Sequence, residues 1–209
     1  MKKVLTVLVA LSMLTMMGLA YADTIHIGDQ IRLNYDPNGY SYGHGGAFYL
    51  NDINTLDNFY TFCVENQEYF NPGNLYYIGG ISDTTLNTNY KLTPAAAYIY
   101  SAYRQGLYTS YPGTGIDQNG AIQEAIWYAM GEINTFSLEG ALAIYNNALG
   151  KWNDIGNVRV LNLYSSYSAE TGFSGPVQDQ LALVPESSTF LLIGAGFAGV
   201  WLLRRRFKS

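Results

Sequence analysis

The chain has 209 residues, but only one cysteine, two histidines and few charges, 11 Lys and Arg against 16 Asp and Glu. Each shortage narrows the chemistry. A lone Cys63 cannot form a disulfide within its own molecule, so it is inert, intermolecular or chemically special. His26 and His44 both precede Cys63 with no hydrolase signature around either, which argues against a cysteine–histidine nucleophile pair. Either could serve as a base, and each also reads as a surface or satisfied histidine. There are too few ligands for a zinc site. Asp117-x-Asn119-Gly120 offers too few oxygens for an EF-hand loop, and no glycine-rich phosphate loop is present. No cofactor or metal is expected.

The ends are specialised. Lys2 and Lys3, an apolar run from Val4 to about Leu19 and the small-x-small site Ala20-Tyr21-Ala22 form a secretory signal, residues 1–22. Cleavage by signal peptidase between Ala22 and Asp23 is expected. At the other end, residues 185–209 hold a polar hinge around Pro185-Glu186, an apolar stretch Phe190–Leu203, and the basic cluster Arg204-Arg205-Arg206 with Lys208. As a helix the apolar stretch would be about 21 Å long, short against a bilayer core of roughly 30 Å. The arginines would stay on the cytoplasmic side.

Residues 23–184 remain, 184 − 22 = 162 residues, enough for one domain with a real core. They carry 5 basic and 15 acidic side chains, a net charge of 5 − 15 = −10. This disfavours nucleic acid and anionic membrane surfaces, leaving the tail as the only membrane contact. Strand patterns cover Thr24–Leu33, Ala47–Leu50, Asn58–Asn66 and Leu75–Ile78, punctuated by Asp36-Pro37-Asn38-Gly39 and Asn71-Pro72-Gly73-Asn74. Helix signals follow: Thr93-Pro94 opening a helix to about Gln105, a second from near Asn119 to Gly131, and a third from Leu138 to about Leu149 capped by Ser137. Val158–Tyr164 and Gln180–Val184 return to strand. The expected fold is α+β, an antiparallel sandwich or barrel-like half with a helical subdomain of about three helices.

Alternation places Tyr60, Phe62 and Val64 on one face and Thr61, Cys63 and Glu65 on the other. On the second helix, Gln123, Trp127 and Met130 form a stripe beside the apolar Ile122, Ile126, Ala129 and Ile133. Gln123 is thus expected at a buried seam, one turn before an indole. With Asn119 as N-cap, the helix dipole would lower the thiol pKa and stabilise an oxyanion. Glu65 reads either as a proton shuttle or as a solvated carboxylate.

Phe62-Cys63-Val64-Glu65 with Gln123-x-Ala125-Ile126-Trp127 resembles the bacterial thioester domain family, surface proteins whose Cys and Gln side chains condense to a thioester. The resemblance spans about Gly46 to Glu132. It implies Cys63 and Gln123 as the bonded pair and covalent attachment to an amine- or hydroxyl-bearing partner, with Trp127 as part of the shield. The last 25 residues resemble a PEP-CTERM sorting signal, which an exosortase-type transpeptidase processes, with Ser187 where that family usually has a second proline. The expected protein is exported, held briefly by its C-terminus, then placed at the cell surface or in the extracellular matrix. It uses its acyl group once and is not a turnover enzyme. The competing expectation is a non-covalent polysaccharide-binding or structural matrix protein, with exopolysaccharide as a candidate partner either way. Only Lys91 and Lys151 lie between residues 23 and 184, so self-acylation has few acceptors.

Overall fold

The computed structural model describes residues 22–36, 45–108 and 116–185. The expected signal segment up to Tyr21, His44, and the expected sorting segment from Glu186 onward lie outside them. Seven strands and three helices occur in the described residues. The strands are β1 (Gln30–Tyr35), β2 (Phe48–Asp52), β3 (Asn58–Thr61), β4 (Leu75–Ser82), β5 (Val158–Ser168), β6 (Gly172–Pro176) and β7 (Gln180–Leu183). The helices are α1 (Pro94–Arg104), α2 (Ile116–Met130) and α3 (Ala141–Ala148).

Every strand pairing is antiparallel, in the order β3-β2-β1-β4-β5-β6 with β7 also beside β5. The sheet curls until its ends meet. Just past β3, Cys63 bridges Gln180. The Val64 N–H donates to Asp179 O at 3.1 Å, and the Leu181 N–H to Phe62 O at 3.1 Å. Closure removes an open edge that would otherwise present unpaired backbone groups. The fold is therefore α+β, a barrel-like seven-stranded sheet with a small helical part.

Closure splits the apolar residues into two cores. Ile31, Leu33, Phe48, Leu50, Phe59, Tyr76, Ile78, Leu161 and Leu163 cluster with Cys63 and Trp127. Phe62, Val64, Val158, Val160, Leu181 and Leu183 instead pack with the helices, against Ala96, Tyr100, Ile122 and Ile126 among others. The expected alternation around Cys63 holds, although both faces are buried. Burying a side chain such as Phe62 contributes about 2–3 kcal/mol.

Local departures have local causes. The run expected to be one strand from Asn58 to Asn66 ends as β3 at Thr61, because the chain there leaves β2 and turns to β7. Helix α1 begins as expected, with Thr93 Oγ1 accepting the Ala96 N–H at 3.2 Å and proline at the first position. Helix α2 starts at Ile116 rather than near Asn119, which places Gln123 about two turns inside it. Helix α3 starts at Ala141, and Ser137 is not its cap. The Ser137 and Leu138 N–H groups both donate to the Glu124 carboxylate, at 2.8 and 2.9 Å, so a tertiary contact fixes that turn. Strand β6 carries no alternating apolar signal. It pairs along the part of β5 that runs past β7, where Phe173 packs on the Tyr164 and Tyr167 rings at 5.5 and 4.8 Å; the Tyr164 ring lies on bare backbone at Gly79, where a Cβ would come within 2.3 Å of it. At the domain's start, Asp23 is buried in an ion pair with Arg104 (2.8 Å) and accepts the Leu183 N–H.

Candidate functional site

Cys63 lies at the seam where the sheet closes. Its neighbours Phe62 and Val64 direct their backbone bonds toward β7, so the N–H and C=O of Cys63 point the other way. Buried there without partners, they would cost about 1–3 kcal/mol each. Gln123 satisfies both. Its Oε1 accepts the Cys63 N–H at 3.0 Å, and its Nε2 donates to Cys63 O at 2.8 Å. The Gly46 N–H donates to the same Oε1 at 3.2 Å. The carboxamide thus acts as a one-residue strand. Its close fit needs Gly45, where a Cβ would fall 2.5 Å from Gln123 Cγ and 2.7 Å from Trp127 Cη2.

The sulfur itself faces different residues. The Cys63 thiol donates to Gln178 Oε1 at 2.9 Å, and Gln180 Nε2 donates to Sγ at 3.4 Å. Gln178 Nε2 in turn donates to Glu65 O at 2.6 Å. Gln178 and Gln180 are two residues apart on an extended segment and so present one face to the thiol. All four side chains, those of Cys63, Gln123, Gln178 and Gln180, are buried. Gln180 Oε1 has no hydrogen-bond partner.

Burial pushes the Cys63 thiol up to about 12; the Gln180 hydrogen bond lowers it, while the Glu65 charge adds to the rise. The expected lowering by a helix dipole is therefore overturned. Gln123 is mid-helix, and desolvation outweighs the hydrogen bonds that favour thiolate.

Glu65 is buried rather than solvated. Its carboxylate accepts from the Thr88 N–H (3.1 Å), the Thr88 hydroxyl (3.2 Å) and the Asp179 N–H (3.4 Å). These bonds tie the 84–88 loop to the seam, and a shuttle role for Glu65 has no contact to Sγ behind it among the described hydrogen bonds. Burial raises the Glu65 pKa. Burial, then the Glu65 charge, raises Asp179 to about 7, although Asp179 accepts from the Leu86 and Leu163 N–H groups and from Asn162 Nδ2.

Trp127 is buried in the cluster that holds Cys63, and its indole N–H has no partner. Lys91 is exposed and pairs with Asp83 at 3.4 Å. His26 is also exposed, against Asp29. Of the residues expected to act in sorting only Pro185 is described; Glu186 and Arg204, Arg205 and Arg206 lie outside the described residues. No helix among the described residues is long and apolar enough to cross a membrane. No group of three or more metal-ligating side chains occurs among them.

Sequence reasoning missed Gln178 and Gln180. The available signal was the Gln-x-Gln alternation running into the apolar Leu181–Val184. No family model, no curated protein and no solved structure matches the chain.

Proposed function

We propose that Cys63 forms an internal thioester and that the acyl donor is Gln178, with Gln123 clamping the cysteine backbone. The observation that carries this reading is the hydrogen bond from the Cys63 thiol to Gln178 Oε1 at 2.9 Å, which sets sulfur beside that carboxamide while Gln178 Nε2 is steadied by Glu65 O; the Gln123 carboxamide bonds instead to the Cys63 and Gly46 backbone. In the reaction, sulfur adds to Gln178 Cδ, the C–N bond breaks, and the thiol proton leaves with the amide nitrogen as ammonia. The buried seam supplies proximity and keeps water from the acyl group. An amine or hydroxyl of an extracellular partner then takes the acyl group once, so the protein attaches rather than turns over. With its signal segment and PEP-CTERM-like tail, the chain is read as an exported bacterial surface or matrix protein, processed by signal peptidase and an exosortase.

Intact mass of the folded protein tests this. A deficit of one ammonia, with methylamine incorporated at Gln178, is the expected result. Incorporation at Gln123 restores the pair implied by the family resemblance. A freely titrating thiol at full mass ends the thioester reading.

A second reading has its own support. Tyr164, Tyr167 and Phe173 of the β5–β6 hairpin lie within 5.5 Å of one another as ring pairs 164–173 and 167–173, and Tyr77 is 6.0 Å from Tyr167. Hydroxyls of Ser165, Ser166, Ser168 and Thr171 border them. Such rings suit non-covalent contact with polysaccharide. Loss of polysaccharide retention in Tyr167→Ala, with the thioester intact, would favour it.

A further inference from the structure

Resting on the thioester reading, we infer that Gln180 acts on the reacting sulfur, with one end of its carboxamide holding Sγ as it gains charge and the other receiving the incoming amine. Two independent observations meet on this side chain. Nε2 donates to Sγ at 3.4 Å. Oε1, on the same carbon, is fully buried and has no partner. A buried carbonyl oxygen left unpaired is uncommon and calls for an explanation. Here the missing partner is an N–H that arrives only with the nucleophile.

The position follows from the fold. Cys63 and Gln180 are bridge partners across the seam, so their side chains rise from adjacent points on the same face. Gln178 is two residues away on that face and holds the other side of the sulfur. Gln178 is thus the group consumed and Gln180 the group retained. Gln180 Nε2 also donates to Gln178 O at 3.4 Å, which sets the plane of its carboxamide.

The steps balance. The amine nitrogen attacks the acyl carbon that was Gln178 Cδ, while one of its N–H bonds points at Gln180 Oε1. The carbon–sulfur bond breaks and its electron pair stays on sulfur, where the Gln180 N–H meets it. The surplus proton on nitrogen passes to that thiolate, leaving an amide and a Cys63 thiol. No oxidant or further reactant is needed. In a site that burial and the Glu65 charge make hostile to thiolate, Gln180 is the side chain that opposes both.

The test uses the full-length chain and methylamine as nucleophile, with ammonia loss read by intact mass and aminolysis by the gain of one methylamine over time. Gln180→Met keeps the bulk and removes both polar atoms. It should still fold, but its aminolysis should be at least tenfold slower than wild type. Gln180→Glu keeps an acceptor and makes the donor depend on protonation. Its aminolysis should fall with rising pH over the range where the wild-type rate rises, an inversion that a packing role would not produce. Wild-type rates in Gln180→Met overturn the inference while leaving the thioester standing. If that variant does not fold, a wild-type pH profile in Gln180→Glu overturns it. Absence of ammonia loss in the wild type overturns the inference together with the thioester reading.

Discussion

The two faces of the segment carrying Cys63 are buried to similar degrees but built from different material. On the helix side, Phe62 and Val64 meet alanines, isoleucines and Tyr103, whose ring stands edge-on to Phe62 at 4.8 Å. On the other side, Cys63 borders the apolar cluster of the sheet and Trp127, but its backbone and sulfur meet three glutamine carboxamides, with the Glu65 and Asp179 carboxyls behind them. Apolar packing tolerates small shifts, whereas the polar side fixes each heteroatom by a partner or leaves it conspicuously without one. The apolar side anchors the seam, and the glutamine side holds the thiol and carboxamides at hydrogen-bond distance.

The sharpest way to break this division is on the polar side. Cys63→Ala and Gln178→Ala should each abolish ammonia loss and methylamine uptake completely, checked by intact mass, while the folded far-ultraviolet spectrum is kept. On the apolar side, Phe62→Ala should cost about 3–5 kcal/mol in denaturant unfolding. Gln123→Ala sits between the two. It leaves the Cys63 N–H and C=O and the Gly46 N–H without partners, for a loss of about 3 kcal/mol. Any thioester left in its folded fraction would show that Gln123 is not the acyl donor.

The pH dependence of stability should also come from the polar side. The folded-state pKa of Asp179 is raised to about 7, so below its unfolded value near 3.8 its contribution is fully present. That contribution is lost as pH rises from about 4 through 7, because the native state must then bury a charge. Asp179→Asn should flatten this stretch of the stability–pH curve measured by urea unfolding. The smallest effect is at the helix caps: Thr93→Ala should cost about 1 kcal/mol. Ser137→Ala should leave the melting temperature unchanged, since the Glu124 carboxylate holds the Ser137 and Leu138 N–H groups.

Much of this was legible in the residues themselves. Thr93-Pro94 announces α1 because cap and proline act within one turn. The resemblance to the thioester domain family names Cys63 and Gln123 together, and the two do lie side by side. The hydrogen bonds between Gln123 and the Cys63 backbone depend on which way the Cys63 N–H points, and that is set by β7, over a hundred residues away. The same distance hid Gln178 and Gln180. A four-residue strand carries too little pattern to reveal its partner, and Gly172-Phe173-Ser174-Gly175-Pro176 carries none.

The proximity of Gln178 to the chain's exit has a mechanical meaning. On the proposed reading the chain is a tether, pulled between its C-terminal anchor and its catch. Pro185, where the tail begins, follows Gln178 by 185 − 178 = 7 residues. An amide made at Gln178 would send tension along this short run of covalent backbone and leave the rest of the barrel slack. A bond at Gln123 would route the load through 185 − 123 = 62 residues, including α3 and β5, which would have to unravel before the backbone drew taut. Stretching single molecules between a captured amine and the C-terminus would separate the two by contour length alone.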